Sequence, residues 1–188
     1  MSVRRAIISV WDKTGIVELA AALHGAGFEI LSTSKTAQAL RDAGIPVVEI
    51  SAYTGSPEIL GGRVKTLHPR IAGGILTTRK DDTVPPIDIV VCNLYPFSEG
   101  LARGAGRDEL IELIDIGGIT LLRAAAKNHA HVAIVPDPKD YAEVAAEVRA
   151  TGAVSDALRL RLAAEAFAIT SRYDTAIAAW FASQAPVC

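Results

Sequence analysis

Cysteine is nearly absent from this chain. Cys92 lies in an apolar run and Cys188 at the terminus, too few for a disulfide framework, and such sparse use fits a reducing compartment. An excess of either charge is also missing. Nineteen Lys and Arg stand against 21 Asp and Glu, net −2, which excludes the broad positive field that nucleic acid or an anionic membrane needs; basic residues must act locally. No uninterrupted apolar stretch reaches membrane-spanning length, and the opening Met-Ser-Val-Arg-Arg-Ala-Ile-Ile-Ser-Val reads as neither signal peptide nor anchor, so the cytoplasm is the expected location. There is no Ser/His/Asp or Cys/His arrangement, Walker loop or dinucleotide fingerprint, and no internal repeat or low-complexity tract. His68 has no second His, Cys or carboxylate at ligand spacing, so no metal site is expected.

What the chain does have is an alternation of short apolar runs with helical patterns. Ala6 to Val10, Phe28 to Leu31, Pro46 to Ile50, Ile87 to Asn93 and Val132 to Val135 read as strands, and the first is a β-branched run of the kind buried on both faces of a parallel sheet. Ile16, Leu19, Ala20 and Leu23 recur at helical spacing, with Thr14 as the expected N-cap and Gly25 and Gly27 as stop signals. A second helix ends near Gly44, and Asp108 to Ile114 makes a short one. Residues 51 to 86 are punctuated by glycine and proline and are expected to form a long, functional loop region. The chain is helical and alanine-rich from Lys139 onward. The expected class is α/β: a mostly parallel sheet of about five strands, helices on both faces, in a single domain over residues 1–188 with a helical C-terminal appendage over about 151–188.

In an open parallel sheet, ligands bind beyond the carboxyl ends of the strands. Those ends are polar here: Ser9-Val10-Trp11-Asp12-Lys13, Ser32-Thr33-Ser34-Lys35-Thr36 and Cys92-Asn93-Leu94-Tyr95. The second opens a helix, so it reads either as a phosphate cradle at the positive end of the helix dipole or as simple N-caps. Arg63-Val64-Lys65-Thr66-Leu67-His68-Pro69 offers two cations and a hydroxyl within a glycine-rich loop, for an anion or for solvent. Asp115 to His129 places a carboxylate before Gly117 and Gly118, then a run of strong helix formers that ends in Lys127 and Asn128. Twelve residues of straight helix rise roughly 18 Å. Asp115 and Lys127 therefore serve one site only if the helix starts late and Lys127 reaches back, or if they act on opposite ends of a sizeable ligand.

Five segments taken in order resemble one family. They are Ser9 to Gly15, Gly61 to Pro69, Cys92 to Phe97, Asp115 to Gly118 and Arg123 to His129, and they closely resemble the IMP cyclohydrolase domain of the bifunctional purine biosynthesis enzymes over nearly the whole chain. The resemblance implies a methylglyoxal-synthase-like fold, closure of 5-formamidoimidazole-4-carboxamide ribonucleotide to inosine monophosphate in the last step of purine synthesis, a homodimer, and no metal or organic cofactor. It implies that Lys65, Tyr95, Asp115 and Lys127 are catalytic. Nucleotide contacts would come from Lys13, Ser32, Thr33, Ser34, Lys35, Thr36, Arg63, Thr66, Cys92, Asn93, Ile116 and Gly117, with Trp11 packing on the nucleotide or capping the sheet. Family members usually carry two glycines where Ser34 and Lys35 stand, and they continue into a transformylase domain, so a separate transformylase partner is a further implication. The alternative is a nucleotide- or phosphate-sensing domain of the same fold that does not turn its ligand over; a third reading is a structural subunit with decayed activity. Phe167, Tyr173, Trp180 and Phe181 on the last helices would expose an apolar face unless the core or a partner covers it.

Overall fold

A computed structural model describes residues 3–80 and 83–184. Cys188 lies outside them. Five strands, β1 (Arg4–Val10), β2 (Phe28–Ser32), β3 (Val48–Glu49), β4 (Ile89–Asn93) and β5 (Ala133–Val135), form a sheet of order β3-β2-β1-β4-β5 in which every pairing is parallel. The expected α/β class with a parallel sheet is the class observed. Ala6, Ile7 and Ile8 are fully buried, as a strand covered on both faces requires.

The chain leaves β1 toward β2 on one side and places β4 on the other, so the order reverses beside β1. Right-handed crossovers then put α1 (Ile16–Gly25) and α7 (Gly117–Lys127) on opposite faces. α1 packs against α8 (Tyr141–Thr151). α7 packs against α9 (Asp156–Gln184) and α4 (Pro69–Leu76). The crevice at the reversal, outside the carboxyl ends of β1 and β4, is where this architecture binds ligands.

Several local expectations need correction. Thr14 does not cap α1; Gly15 holds that position at φ 70°, and the Thr14 N–H donates to Asp12 Oδ1 at 2.9 Å instead. Within the supposed loop region lie α3 (Ile50–Thr54) and α4. Pro69 opens α4 at its first turn, where a missing N–H costs nothing, and the His68 ring accepts from the Arg70 N–H at 3.1 Å. Read as a breaker, that proline hides a helix whose Ile71 and Ile75 are buried one turn apart. α5 (Phe97–Ala102) had no sequence expectation, while α6 (Arg107–Glu112) falls close to its predicted place.

The C-terminal helix is not an appendage in its packing. α9 runs 29 residues, and Leu158, Leu162, Ala163 and Ala166 join the main core beside α7 and β5. Tyr173 and Trp180 are buried with Phe97, Leu110 and Leu113 in a second cluster. Phe167 and Phe181 remain 40% and 48% exposed. Among the described residues no helix is long and apolar enough to cross a membrane.

Candidate functional site

A cavity of about 640 Å³ opens outside the carboxyl ends of β1, β2 and β4. It gathers residues far apart in sequence: Trp11 and Lys13 after β1; Thr33, Ser34, Lys35 and Thr36 at the start of α2 (Ser34–Asp42); Arg63, Lys65 and Thr66 from the glycine-rich loop; Cys92, Asn93 and Tyr95 after β4; and Asp115, Ile116 and Gly117 before and at the start of α7. Lys13, Lys35, Arg63 and Lys65 put four cations on its wall, a local concentration of positive charge on a chain whose net charge is negative.

Asp115 is fixed by the backbone around it. The N–H of Gly118 donates to Asp115 Oδ1 at 2.6 Å, and the Asp115 N–H donates to Tyr173 Oη at 2.9 Å. The Tyr173 hydroxyl in turn donates to the Leu113 carbonyl at 2.6 Å, so α9 ties down the loop that carries the carboxylate. Burial pushes that phenol up to about 12, which keeps it protonated in this role. The paired glycines are explained by close approach. A Cβ on Gly118 would lie 2.5 Å from Asp115 Oδ2, and one on Gly117 would lie 2.8 Å from Thr66 Oγ1. Burial raises the Asp115 pKa above the usual carboxylate range, opposed by hydrogen bonds from the backbone of Gly118 and Tyr95.

Opposite Asp115, burial and then the Asp115 charge raise the Tyr95 pKa, so its phenol keeps its proton. The Tyr95 ring meets the ring of Trp11 edge-on, with centroids 5.1 Å apart, and Trp11 is half exposed at the mouth. Trp11 sits on a rigid turn: Asn93 Oδ1 accepts from the N–H groups of Trp11 (2.7 Å) and Asp12 (3.0 Å), and Asn93 Nδ2 donates to the Asp12 carbonyl at 2.9 Å. The Cys92 thiol is fully buried and its pKa is driven well up, by burial first and by Asp115 second, so it stays protonated and is no nucleophile.

The hydroxyls and cations divide between building the site and facing it. Ser32 does not line the cavity; its Oγ donates to the Ile8 carbonyl at 2.7 Å, joining β2 to β1. Thr36 Oγ1 donates to the Val10 carbonyl at 3.1 Å, which anchors the start of α2. Lys13 Nζ donates to the Trp11 carbonyl at 3.1 Å. Arg63 pairs with Glu112 at the rim.

Lys127, like Ser32, is a predicted site residue that does not line the cavity. Asp115 lies outside the helix as the spacing argument requires, but α7 begins at once, at Gly117, and its 11 residues run straight on to Lys127. The ten rises between those ends amount to roughly 15 Å, and Lys127 is exposed and absent from the cavity wall. Its neighbour Asn128 is turned to the fold, donating to the carbonyls of Ile75 (2.7 Å) and Thr77 (2.9 Å). Sequence reasoning missed Glu58, Glu112 and Tyr173, which hold Lys65, Arg63 and Asp115 respectively. None stands in a pattern that marks it, and Tyr173 follows Asp115 by 58 positions. Among the described residues no group of three or more His, Cys, Asp or Glu is placed to hold a metal.

Comparisons with known proteins place the chain in a family. The model of the MGS-like domain family matches residues 15–120, and that of the AICARFT/IMPCHase bienzyme family matches residues 125–187. The bifunctional purine biosynthesis protein PurH of Parvibaculum lavamentivorans is 50% identical over 190 residues, covering 96% of this chain and 35% of the relative. Those of Anaeromyxobacter sp. Fw109-5 and Sorangium cellulosum are 55% and 53% identical over 93% and 96% of this chain. The chain thus spans about a third of the length of the curated relatives it matches. Among solved structures, ForH superposes with a TM-score of 0.81 at 37% identity, over 95% of this chain and 97% of that one.

Proposed function

From the premise that this chain belongs to the MGS-like domain family and corresponds to one part of the bifunctional purine biosynthesis proteins PurH, we propose that it is an IMP cyclohydrolase. The observation that carries the reading is the convergence of Asp115, Tyr95 and Lys65, a buried carboxylate, a protonated phenol and a cation, on one cavity at the reversal point of the sheet.

The reaction closes a ring within one molecule. The carboxamide nitrogen of 5-formamidoimidazole-4-carboxamide ribonucleotide bonds to the formyl carbon, and the formyl oxygen leaves as water. Two protons must reach that oxygen, one from the carboxamide NH₂ and one from the formamido N–H, and no electron carrier is needed. Because both reactants are tethered, the protein's task is to orient them, move those protons and stabilise oxyanion charge. Asp115, ionised above its raised pKa, takes the carboxamide proton as the C–N bond forms. Tyr95 and Lys65 donate to the formyl oxygen as it becomes an alkoxide and then water. The nucleotide phosphate lies at the α2 N-terminus with Lys35 and Lys13, and the purine ring under construction lies against Trp11. Lys127 has no part in bond making within one chain. Two such chains forming a homodimer, with a transformylase working upstream, complete the proposed setting.

The test is a spectrophotometric assay of inosine monophosphate formation by the purified chain without added metal, with Tyr95→Phe as the control. Turnover that falls by about two orders of magnitude in the control supports the assignment. The position of Lys127 is the one feature that favours a non-catalytic nucleotide sensor. A wild type that binds the product nucleotide but forms none would establish that reading instead.

A further inference from the structure

The chain folds back on itself between Glu58 and Lys65. Ile59 and Val64 form an antiparallel bridge, in which the Ile59 N–H donates to the Val64 carbonyl at 3.2 Å and the Val64 N–H donates to the Ile59 carbonyl at 3.4 Å. In an antiparallel pair the flanking residues also stand opposite each other, so this register sets Glu58 across from Lys65. The two side chains meet there. Glu58 Oε2 lies 3.5 Å from Lys65 Nζ, with the side chains only 33% and 26% exposed. Gly62 leaves the space for them: a Cβ on it would lie 2.6 Å from Lys65 Cε and 3.4 Å from Glu58 Oε2. Lys65 lines the cavity and Glu58 does not, so the carboxylate backs the ammonium from behind the wall. Ser34 Oγ also accepts from Lys65 Nζ at 2.8 Å and donates to Glu58 Oε1 at 2.8 Å, but the ion pair is direct and does not depend on that hydroxyl. An ammonium has three donors, and these two contacts leave one for the cavity.

We propose that Glu58 is a positioning residue, whose carboxylate, set opposite Lys65 by the hairpin register, holds the ammonium at the cavity wall with one donor free. The proposal rests on the cyclohydrolase reading and deepens it, since Lys65 is the cation offered to the departing oxygen. A lysine stem is long and flexible, and an unanchored ammonium spreads over rotamers of which few face that oxygen. A charged acceptor restrains it more strongly than a neutral one. The restraint matters most where charge develops on the oxygen, so its loss falls on kcat rather than on KM.

A double-mutant cycle separates positioning from structure. Glu58→Gln keeps the shape and removes the charge; it is expected to lose about tenfold in kcat with KM changed less than about twofold. Made on a Lys65→Met background, the same substitution has no ammonium left to misplace and is expected to change kcat less than about twofold. Equal losses of kcat on the two backgrounds, or no loss on either, would overturn the proposal. A second readout needs no turnover: exchange of the lysine ammonium protons with water, followed in ¹⁵N-lysine NMR spectra with Lys65→Met used to assign the signal. Lys65 is expected to exchange about threefold or more slowly than solvent-exposed Lys127 in the wild type, and at nearly the Lys127 rate in Glu58→Gln. The wild-type comparison holds even where a variant fails to fold. If the wild type forms no inosine monophosphate, the cyclohydrolase reading falls by itself and exchange decides: slow exchange at Lys65 supports the positioning role, and a rate equal to that of Lys127 sinks it.

Discussion

The two ends of α7 are built from similar residue types and serve different purposes. At its start, Asp115 is folded back over Gly118, held from behind by Tyr173 and buried beside Tyr95 in the cavity. At its finish, Lys127 points to solvent, and Asn128 clamps the end of α4 through the carbonyls of Ile75 and Thr77. Polar residues at a helix end thus carry no chemistry by themselves. What separates the two ends is burial and what the fold brings opposite them, and each can be tested by removing one group.

The largest effect is expected at Asp115. Asp115→Asn keeps an acceptor for the Gly118 N–H but removes the base, and turnover is expected to fall by about 10² to 10⁴. Stability moves the other way. Because burial raises its pKa, folded Asp115 holds its proton to higher pH than the unfolded chain does. The stability tied to it is fully present below the unfolded value, about 3.9, and is lost as pH rises through the folded value. Thermal melts at pH 7 should therefore show Asp115→Asn above wild type, with the two curves meeting below about pH 4. A variant that is both inactive and less stable at pH 7 would mean that the carboxylate is structural.

Next in size is Tyr173→Phe, which strips the Asp115 N–H of its acceptor and the Leu113 carbonyl of its donor. Two partly buried groups left unpaired cost about 1–3 kcal/mol, read as a lower denaturation midpoint. The loop carrying Asp115 loosens, so kcat should fall several-fold with KM little changed. Asn128→Ala sharpens the contrast from the other end. It removes two hydrogen bonds to α4 and should cost about 1–2 kcal/mol of stability, while kcat stays near that of wild type at temperatures where the variant is folded. Were Asn128→Ala to impair kcat as Tyr173→Phe does, the functional distinction between the ends would be lost.

Much of this was legible in the sequence because it was local. The runs at Ala6 to Val10 and Ile87 to Asn93 are short, apolar and bounded, and parallel strands buried on both faces leave that trace. The polar strand ends follow from where open sheets bind ligands. Harder to read were features set by distant partners. Pro69 reads as a breaker until His68 is seen capping the helix it opens. Glu58 and Glu112 are ordinary acidic residues until the fold brings Lys65 and Arg63 to them. Tyr173 reads as part of an apolar helix face, and its hydroxyl gains meaning only where α9 crosses the Asp115 loop. The distance of Lys127 from the cavity of its own chain was equally hard to read, because motif order says nothing of the helix length that separates them.

The smallest effect is expected at Lys127 itself. The residue is exposed and no part of the cavity wall, and the roughly 15 Å rise of α7 separates it from Gly117. Its charge favours the negative end of the helix dipole, a contribution of about 0.3–1 kcal/mol that salt screens. Lys127→Leu should therefore lower the melting temperature slightly at low ionic strength and keep kcat within about threefold of wild type. Equal losses from Lys127→Leu and Asp115→Asn would break the contrast between the ends of α7. Since α7 is too long for Lys127 to reach the cavity of its own chain, such a result would require the lysine to act in the cavity of a second copy. Mixing inactive Asp115→Asn with inactive Lys127→Leu would then restore turnover through sites that combine an intact Asp115 with an intact Lys127, whereas sites complete within one chain would stay inactive.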